Sequence, residues 1–266
     1  MTLALEPVAD PAAPLARRNP VAKLGAALLF SLPLVATLDP LTPALALTVE
    51  LALLPLFGVR YRVLARRVWP LALAAAGILV TMVLFAADRT GPLLVTLGPF
   101  AITTGVLVNA LGLMLRVFAV ALPGVIVFAT TDPTDLADAL VQNAKAPARF
   151  ALGALAAFRL IPLLGEEWQM LTLARRARGI DAGRNPLARL ALFGSTAFAL
   201  LVGALRRGGR LALAMDARGF DSGLPRTHAR RQTFGRADTA LLVGAGLLAT
   251  AFLATSVLTG LFHPII

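Results

Sequence analysis

The strongest constraint on this chain is a series of apolar runs, each long enough to cross a lipid bilayer. A transmembrane helix needs about 20 mostly apolar residues, with a range of roughly 17–25. Apolar residues make up 58% of the chain, against about 45–50% in soluble domains. The sequence therefore predicts an all-α integral membrane protein with about five transmembrane helices. The predicted spans are residues 21–38, 41–59, 68–87, a stretch within 102–129, and 239–262.

The distribution of positive charge predicts how these spans are oriented. Cytoplasmic loops of membrane proteins are enriched in Lys and Arg. With the N-terminus inside, the loop between the second and third spans faces the cytoplasm and has four Arg, whereas the two loops facing outside have only Arg89. Residues 131–236 hold sixteen Lys and Arg and also stay inside. We therefore expect an outside C-terminus, and membrane orientation explains the net charge of +11 without a nucleic-acid partner.

This topology divides the chain into four segments. Residues 1–18 are predicted to be a disordered, proline-rich cytoplasmic tail, and residues 19–130 a membrane domain of four spans. Residues 131–236 form a cytoplasmic domain of long crossed helices, and residues 237–266 contain the final transmembrane helix. The alternative is that the long helices add two more spans and carry Gly183 outside. Arginines interrupt the first of them, and a mid-membrane Arg costs about 2.5–3.5 kcal/mol, which favours the cytoplasmic arrangement.

A seven-residue motif occurs twice in the predicted cytoplasmic domain, and each copy ends a run typical of a long helix. Ala-Arg-Gly-Ile-Asp-Ala-Gly begins at Ala177, and Ala-Arg-Gly-Phe-Asp-Ser-Gly begins forty residues later at Ala217, with five of seven positions identical. A glycine just beyond a helix end adopts the left-handed conformation that closes many helices. The motif therefore predicts two helix C-termini, whose candidate site residues are Ala177, Arg178, Gly179, Ala217, Arg218 and Gly219.

The two motif arginines, Arg178 and Arg218, have two possible roles. A cation in the last turn of a helix interacts favourably with the helix dipole, by about 0.3–1 kcal/mol. Neighbouring arginines already supply that charge, and capping does not require the surrounding Ala, Gly and Asp to recur. The repeat therefore indicates a paired partner, either two identical subunits or two acidic sockets.

Three polar residues lie within the predicted spans. Glu50 is in the second span, and Asn109 and Arg116 are seven residues apart on one face of the fourth. Ionisable residues inside a membrane are costly and often functional. We expect a Glu50–Arg116 ion pair, or polar contacts that lock the helices together. A path for a substrate or an ion is the alternative.

Signals for catalysis or for a bound cofactor are weak. Glu166 and Glu167 are adjacent, so on a helix they point about 100° apart and cannot face one substrate atom. The chain has no phosphate-binding Gly-x-x-x-x-Gly-Lys sequence and no Cys, and its two His, at positions 228 and 263, suggest no motif. We predict no catalytic residues, no metal site and no cofactor.

Six stretches between residues 19 and 223 share a family likeness. They are Asn19–Leu24, Leu115–Val117, Thr130–Leu136, Arg159–Leu164 with Glu166 and Glu167, Ala174–Gly179, and Ala214–Phe220. In these stretches the chain resembles the transmembrane T component of energy-coupling factor (ECF) transporters, a group that includes cobalt-transport membrane proteins. The two Ala-Arg-Gly signatures are the most specific part of the resemblance.

The resemblance implies a non-catalytic subunit of an ABC-type importer in a bacterial plasma (inner) membrane. In such transporters the T component joins two cytosolic ABC-type ATPases to a small substrate-binding membrane protein, the S component. The two Ala-Arg-Gly ends dock into grooves on the ATPases, so residues 131–236 are implied to be a coupling domain. Vitamins, cobalt and nickel all occur as substrates, and the sequence does not choose among them.

Two other functions remain open at this stage. The first is a conventional ABC permease with its own substrate path, which would usually present one coupling element per subunit. The second is an integral-membrane lipid-modifying enzyme that uses Asp181, Asp221 and the arginines as a headgroup site. Each copy of the motif has a single Asp, whereas Asp-rich motifs with metal-ligand spacing would favour the enzyme.

Overall fold

The computed structural model describes residues 13–37, 39–59, 61–85, 90–97, 100–220 and 227–260. Eight helices make up nearly all of this structure, which confirms the predicted all-α fold. They are α1 (Pro20–Ala36), α2 (Leu41–Leu53), α3 (Tyr61–Phe85), α4 (Thr104–Thr130), α5 (Pro133–Gln142), α6 (Ala148–Ala177), α7 (Pro186–Ala217) and α8 (Arg236–Leu258), with a 3-10 turn at Leu54–Phe57.

A short antiparallel hairpin precedes α4, and the all-α prediction did not include it. Its strands are β1 (Leu93–Leu97) and β2 (Phe100–Thr103), with Thr96 opposite Ala101 and Leu97 opposite Phe100. Both segments are rich in the β-branched and aromatic residues that favour strands. The hairpin ends at Thr103, whose hydroxyl accepts a hydrogen bond from the Val106 amide and so caps α4.

Five of the described helices are long and apolar enough to cross a membrane. They are Leu64–Phe85, Thr104–Thr130, Ala148–Ala177, Pro186–Ala217 and Arg236–Leu258. Three of them correspond to predicted spans, whereas α6 and α7 were predicted to lie at the cytoplasmic face. The first two predicted spans form shorter helices. The 17 residues of α1 reach about 25 Å at ~1.5 Å per residue, slightly less than the ~30 Å hydrocarbon core of a bilayer.

One compact unit consists of Ala4–Lys145 and Gln232–Ile266. In it α1 packs on α4 and α8, α2 packs on α4 and α8, and α3 packs on α4. Phe30 and Phe252 meet edge to face with ring centroids 5.5 Å apart. Gly25 allows the close approach of α1 to α8, because a Cβ there would lie 2.9 Å from the Leu242 side chain. The predicted disordered tail does not extend to residues 13–18, which form turns in which Ala13 and Leu15 are buried.

The stretch that begins with Asn19 and Lys23 ties this unit together. Asn19 donates its side-chain amide to Asn143 Oδ1 at 2.9 Å, and its backbone amide donates to Asp238 Oδ1 at 2.9 Å. The Lys23 ammonium is buried and donates to Thr130 O at 2.8 Å, at the C-terminus of α4. A cation at a helix C-terminus is electrostatically favourable. These bonds connect the start of α1 to the ends of α4 and α5 and to the start of α8.

The second compact unit contains α6 and α7 and covers Ala146–Arg231. Asn185 caps α7 by accepting from the Leu187 amide at 3.0 Å, and Pro186 follows as the first helical residue. Only Ala151 of α6 and Thr196 of α7 are buried in the described structure. Most of the surface of both helices is therefore left for a bilayer or a partner protein to cover.

Candidate functional site

The two Ala-Arg-Gly motifs close α6 and α7 in the same way. Gly179 and Gly219 have φ values of 74° and 68°, in the left-handed region that only glycine adopts freely. At the first end the Ile180 amide donates to Arg175 O at 3.0 Å, and the Gly179 amide donates to Arg176 O at 2.9 Å. This pair of reversed bonds is a Schellman motif, which satisfies carbonyls that a helix end otherwise leaves unpaired.

The second end repeats these bonds forty residues later. The Phe220 amide donates to Met215 O at 3.1 Å, and the Gly219 amide donates to Asp216 O at 2.9 Å. A Schellman motif often has an apolar residue in the position of Ile180 and Phe220, which accounts for one repeated feature of the sequence. Helix closure thus explains the glycine and the apolar residue, but it gives no role to the arginine side chain. Asp221, Ser222 and Gly223, which complete the second copy, lie outside the described residues.

The side chains of Arg178 and Arg218 are free at these two ends. Both residues are exposed, and in the part of the chain that the structure describes neither guanidinium has a hydrogen-bond or ion-pair partner. Ala177 and Ala217 are exposed as well, so nothing bulky flanks either arginine. Each end therefore presents an unpaired fork of five N–H donors, which matches a carboxylate bidentately.

The first end is anchored to the neighbouring helix by Arg175. Its Nη1 lies 3.2 Å from Leu192 O, 2.7 Å from Ser195 Oγ and 2.6 Å from Thr196 Oγ1, all on α7. The Arg175 carbonyl also accepts the Ile180 amide of the Schellman motif. One residue therefore links the closing turn of α6 to α7. The equivalent position forty residues on is Met215, which cannot make such bonds.

A groove of about 440 Å³ lies beside the first end. Trp168 and Phe193 contact each other along it, with ring centroids 5.1 Å apart, and Arg176 and Asp181 also line it. Arg189 donates to Gly183 O through both Nε and Nη2, at 3.1 and 2.8 Å, and so fixes the connection between α6 and α7. The first end therefore offers a partner both the Arg178 side chain and an adjacent groove.

Glu167 has a structural partner. It forms an ion pair with Arg207 between α6 and α7. The contact links α6 to α7. Among the described residues no group of three or more His, Cys, Asp or Glu is placed to hold a metal ion.

The structure does not form the predicted Glu50–Arg116 ion pair. Arg116 instead donates through Nη2 to the Thr37 carbonyl and lies within electrostatic range of Asp39. Glu50 is 5% exposed, and neither of its carboxyl oxygens has a hydrogen-bond partner among the described residues. Asn109 is exposed on α4. The three predicted intramembrane polar residues are therefore not brought together.

Asp39 is the centre of a buried cluster of hydroxyl groups. It accepts from the hydroxyls of Thr37, Thr42 and Ser256, the last two at 2.6 and 2.8 Å, and from the Thr42 amide at 3.2 Å. Burial alone raises the pKa of Asp39, but these hydrogen bonds together outweigh it, and the pKa lies below its ordinary value of 3.8. The Asp-Pro pair was the only local signal for this residue.

The comparisons with known proteins agree on one family of membrane transport proteins. The family model described as CbiQ, cobalt transport protein, matches residues 12–229. A protein of Leuconostoc gelidum subsp. gasicomitatum named energy-coupling factor transporter transmembrane protein EcfT is 33% identical over 170 residues, which are 60% of this chain and 63% of that protein. A protein of the same name from Bacillus selenitireducens is 32% identical over 92% of this chain and 93% of its own length.

A third relative has a different name. A putative ABC transporter ATP-binding protein of Bifidobacterium longum is 32% identical over 158 residues, which are 56% of this chain and 20% of that protein. A region similar to this chain therefore occurs within a polypeptide whose name indicates ATP binding.

Proposed function

The chain belongs to the CbiQ family of cobalt transport proteins, which includes the T components of ECF transporters, and from this we propose how it works. We propose that it couples two cytosolic ABC-type ATPases, identical or different, to a small substrate-binding S component in the bacterial plasma membrane. ATP-driven movement of the ATPases then drives uptake of a vitamin or of a transition-metal ion such as cobalt or nickel. In this proposal the ATPases hydrolyse the ATP, and this chain transmits the motion.

The observation that carries the proposal is the pair of identically closed helix ends with free arginines. Arg178 and Arg218 are exposed and have no partner for their guanidinium groups among the described residues. A guanidinium binds carboxylates bidentately, so an acidic groove on each of two ATPases would complement one arginine. The Bifidobacterium relative supports an association between this kind of chain and ATPases, because there a similar region is part of a protein named for ATP binding.

The exposed apolar surfaces of α6 and α7 support contact with the bilayer or with the S component. Phe150, Met170, Phe198 and Leu205 are each at least 65% exposed. Monomeric soluble proteins rarely expose large contiguous apolar patches, and larger ones mark interaction sites. We propose that this surface is covered by lipid and by the S component, while the two helix ends reach the ATPases.

The test of the proposed function is an ATPase pull-down with the Arg178→Ala/Arg218→Ala protein. Truncating one partner of a desolvated charge pair costs about 2–5 kcal/mol, so each single variant should bind the ATPases at least tens-fold more weakly. The double variant should lose both the complex and ATP-driven uptake, while membrane insertion and S-component binding survive. Arg→Lys at both positions should rescue poorly, because Lys keeps the charge but not the fork.

The matched control is Arg206→Ala/Arg210→Ala, which removes the same charge from α7 away from the helix ends. It should leave ATPase recovery unchanged. If the Arg178→Ala/Arg218→Ala protein recovers as much ATPase as wild type, or if Lys at both positions restores binding, the arginines only interact with the helix dipoles. Either result would overturn the coupling proposal.

We further propose the orientation with the N-terminus inside and the C-terminus outside, motivated by the positive charge of residues 131–236. Single cysteines introduced into this Cys-free chain test it with a membrane-impermeant thiol reagent. A cysteine at Thr90 or Thr259 should be labelled from outside, and one at Arg184 should not. Labelling of position 184 from outside would place α6 and α7 across the bilayer instead.

A further inference from the structure

A cavity in the unit formed by Ala4–Lys145 and Gln232–Ile266 contains a buried carboxyl group without a partner. The cavity has a volume of about 270 Å³ and lies among α1, α2, α4 and α8. Apolar side chains such as Phe30 and Leu241 form most of its wall. Glu50 lines it with only 5% of its surface exposed, and neither Oε1 nor Oε2 has a hydrogen-bond partner within the described residues.

The other charged residue in the wall, Lys23, cannot satisfy this carboxyl group. A lysine ammonium has three donors, and Lys23 Nζ already has three acceptors. These are Thr130 O at 2.8 Å, Thr131 Oγ1 at 3.3 Å and Ala16 O at 3.3 Å. Its positive charge also interacts with Asp135 and Asp238. Within the described part of the chain, no donor therefore reaches the oxygens of Glu50.

A buried polar group without a hydrogen bond destabilises the folded state, and a donor brought by a ligand would remove that penalty. The rest of the wall offers apolar contact and no further free polar side chain. We propose that this cavity binds a small amphiphile, with a hydrogen-bond donor (an ammonium or a hydroxyl group) that contacts Glu50 and an apolar body that fills the remaining space. This site is separate from the helix ends proposed to dock the ATPases.

The volume of the cavity limits the size of the ligand. An apolar cavity of about 150 Å³ accommodates benzene, so a cavity of about 270 Å³ has room for roughly ten carbon atoms at the same packing. Octylamine and octanol are of this size, and they are suitable probes for the site.

The experiment measures binding of four probes to the full chain in lipid nanodiscs, by titration calorimetry and by the shift of the thermal unfolding midpoint. Octylamine and octanol should bind and raise the midpoint. Octanoate and octane should not, because neither offers a donor to Glu50. In Glu50→Leu the affinity for octylamine should fall at least about tenfold, as expected for the loss of a hydrogen bond to a charged group.

A second variant leaves the carboxyl group in place and fills the cavity. Gly244 lines the cavity, and a Cβ built there meets no atom within 4 Å, so Gly244→Leu can place its side chain in the open space. Gly246 is on the same helix with equally open space but does not line the cavity, which makes Gly246→Leu the matched control. Gly244→Leu should abolish octylamine binding, and Gly246→Leu should bind it like the wild-type chain.

Three results would overturn the proposal. They are equal binding of octanoate and octylamine, no binding of either donor probe to the wild-type chain, and unchanged octylamine affinity in Gly244→Leu. The last variant decides the question even if Glu50→Leu fails to fold. Partition of the probes into the bilayer is the same for every variant, so the comparison with Gly246→Leu isolates the cavity.

Discussion

Replacing Arg175 with Met should release the end of α6 from α7 and weaken ATPase docking at the first Ala-Arg-Gly end. Met keeps most of the apolar stem of Arg, so packing along the helix is largely preserved. The substitution removes the bonds from Nη1 to Leu192 O, Ser195 Oγ and Thr196 Oγ1. The Schellman bonds to the Arg175 carbonyl are made by the backbone and survive. The variant therefore separates anchoring of the helix end from its closure.

The expected size of this effect follows from the geometry. Nη1 carries two protons, so only two of its three acceptors can be fully bonded at one time. A hydrogen bond to a charged group contributes about 1.5–3 kcal/mol. Arg175 is only partly buried, and solvent reduces such contributions. We expect a loss of about 2 kcal/mol, which makes detachment of the helix end roughly 30-fold more frequent.

Hydrogen exchange followed by mass spectrometry measures this detachment directly. Peptides that cover the C-terminal turns of α6 should exchange roughly 30-fold faster in Arg175→Met, because local opening sets the rate. The matched control is Arg176→Met, which removes the same charge one residue away at a side chain exposed to solvent. ATPase binding by Arg175→Met should weaken less than by Arg178→Ala. Equal exchange in the two Met variants, or no change in either, would refute the anchoring role.

Two further predictions concern the unit that contains α1 and α8. Lys23→Met should lower the free energy of unfolding by about 3 kcal/mol, because it leaves buried acceptors such as Thr130 O unpaired. The exposed Arg62→Met should change the same quantity by less than about 0.5 kcal/mol in a reversible mixed-micelle titration, and equal losses would remove the special role of Lys23. Because the folded-state pKa of Asp39 lies below its ordinary value of 3.8, its contribution to stability is present above that pH and is lost as pH falls through the lowered pKa. Asp39→Asn should therefore be less stable than wild type at pH 6. It should also lose less stability than wild type when the pH is lowered below 3.8, and unfolding midpoints measured at pH 6 and at the lower pH check both expectations.

Helix boundaries could be predicted because the signals for them are local. Asp followed by Pro is a pattern typical of a helix start, and Asp132 before Pro133 caps α5 by accepting the Thr134 amide at 2.6 Å. Asn185 before Pro186 has a similar pattern, and α7 begins at Pro186. The left-handed glycines at the ends of α6 and α7 were predicted from the motif, because few residues other than glycine fit that conformation.

Polar partnerships could not be predicted, because they join residues that are far apart in the chain. Arg116 was expected to pair with Glu50 because of their opposite charges. The fold instead places its guanidinium next to the Thr37 carbonyl, an acceptor that every residue has. Lys23 and Thr130 are separated by 107 positions, and no local pattern specifies such a bond. Which apolar helices span the bilayer is equally hard to predict from composition, since α6 and α7 satisfy the same criteria as α3, α4 and α8.

The chain leaves the unit that contains α1 and α8 after Lys145 and returns to it at Gln232. Hydrogen bonds join these two points. Asn143 donates its side-chain amide to Gln232 O at 3.2 Å, and the Gln232 amide donates to Gln142 Oε1 at 2.9 Å. The intervening segment is therefore an insertion whose two ends are held together by hydrogen bonds. The entropic cost of closing a flexible loop grows only by about 0.6 kcal/mol for each doubling of its length. Evolution can thus lengthen, shorten or reshape α6 and α7 at small cost to the unit that contains α1 and α8, and homologues should differ more between these two points than outside them.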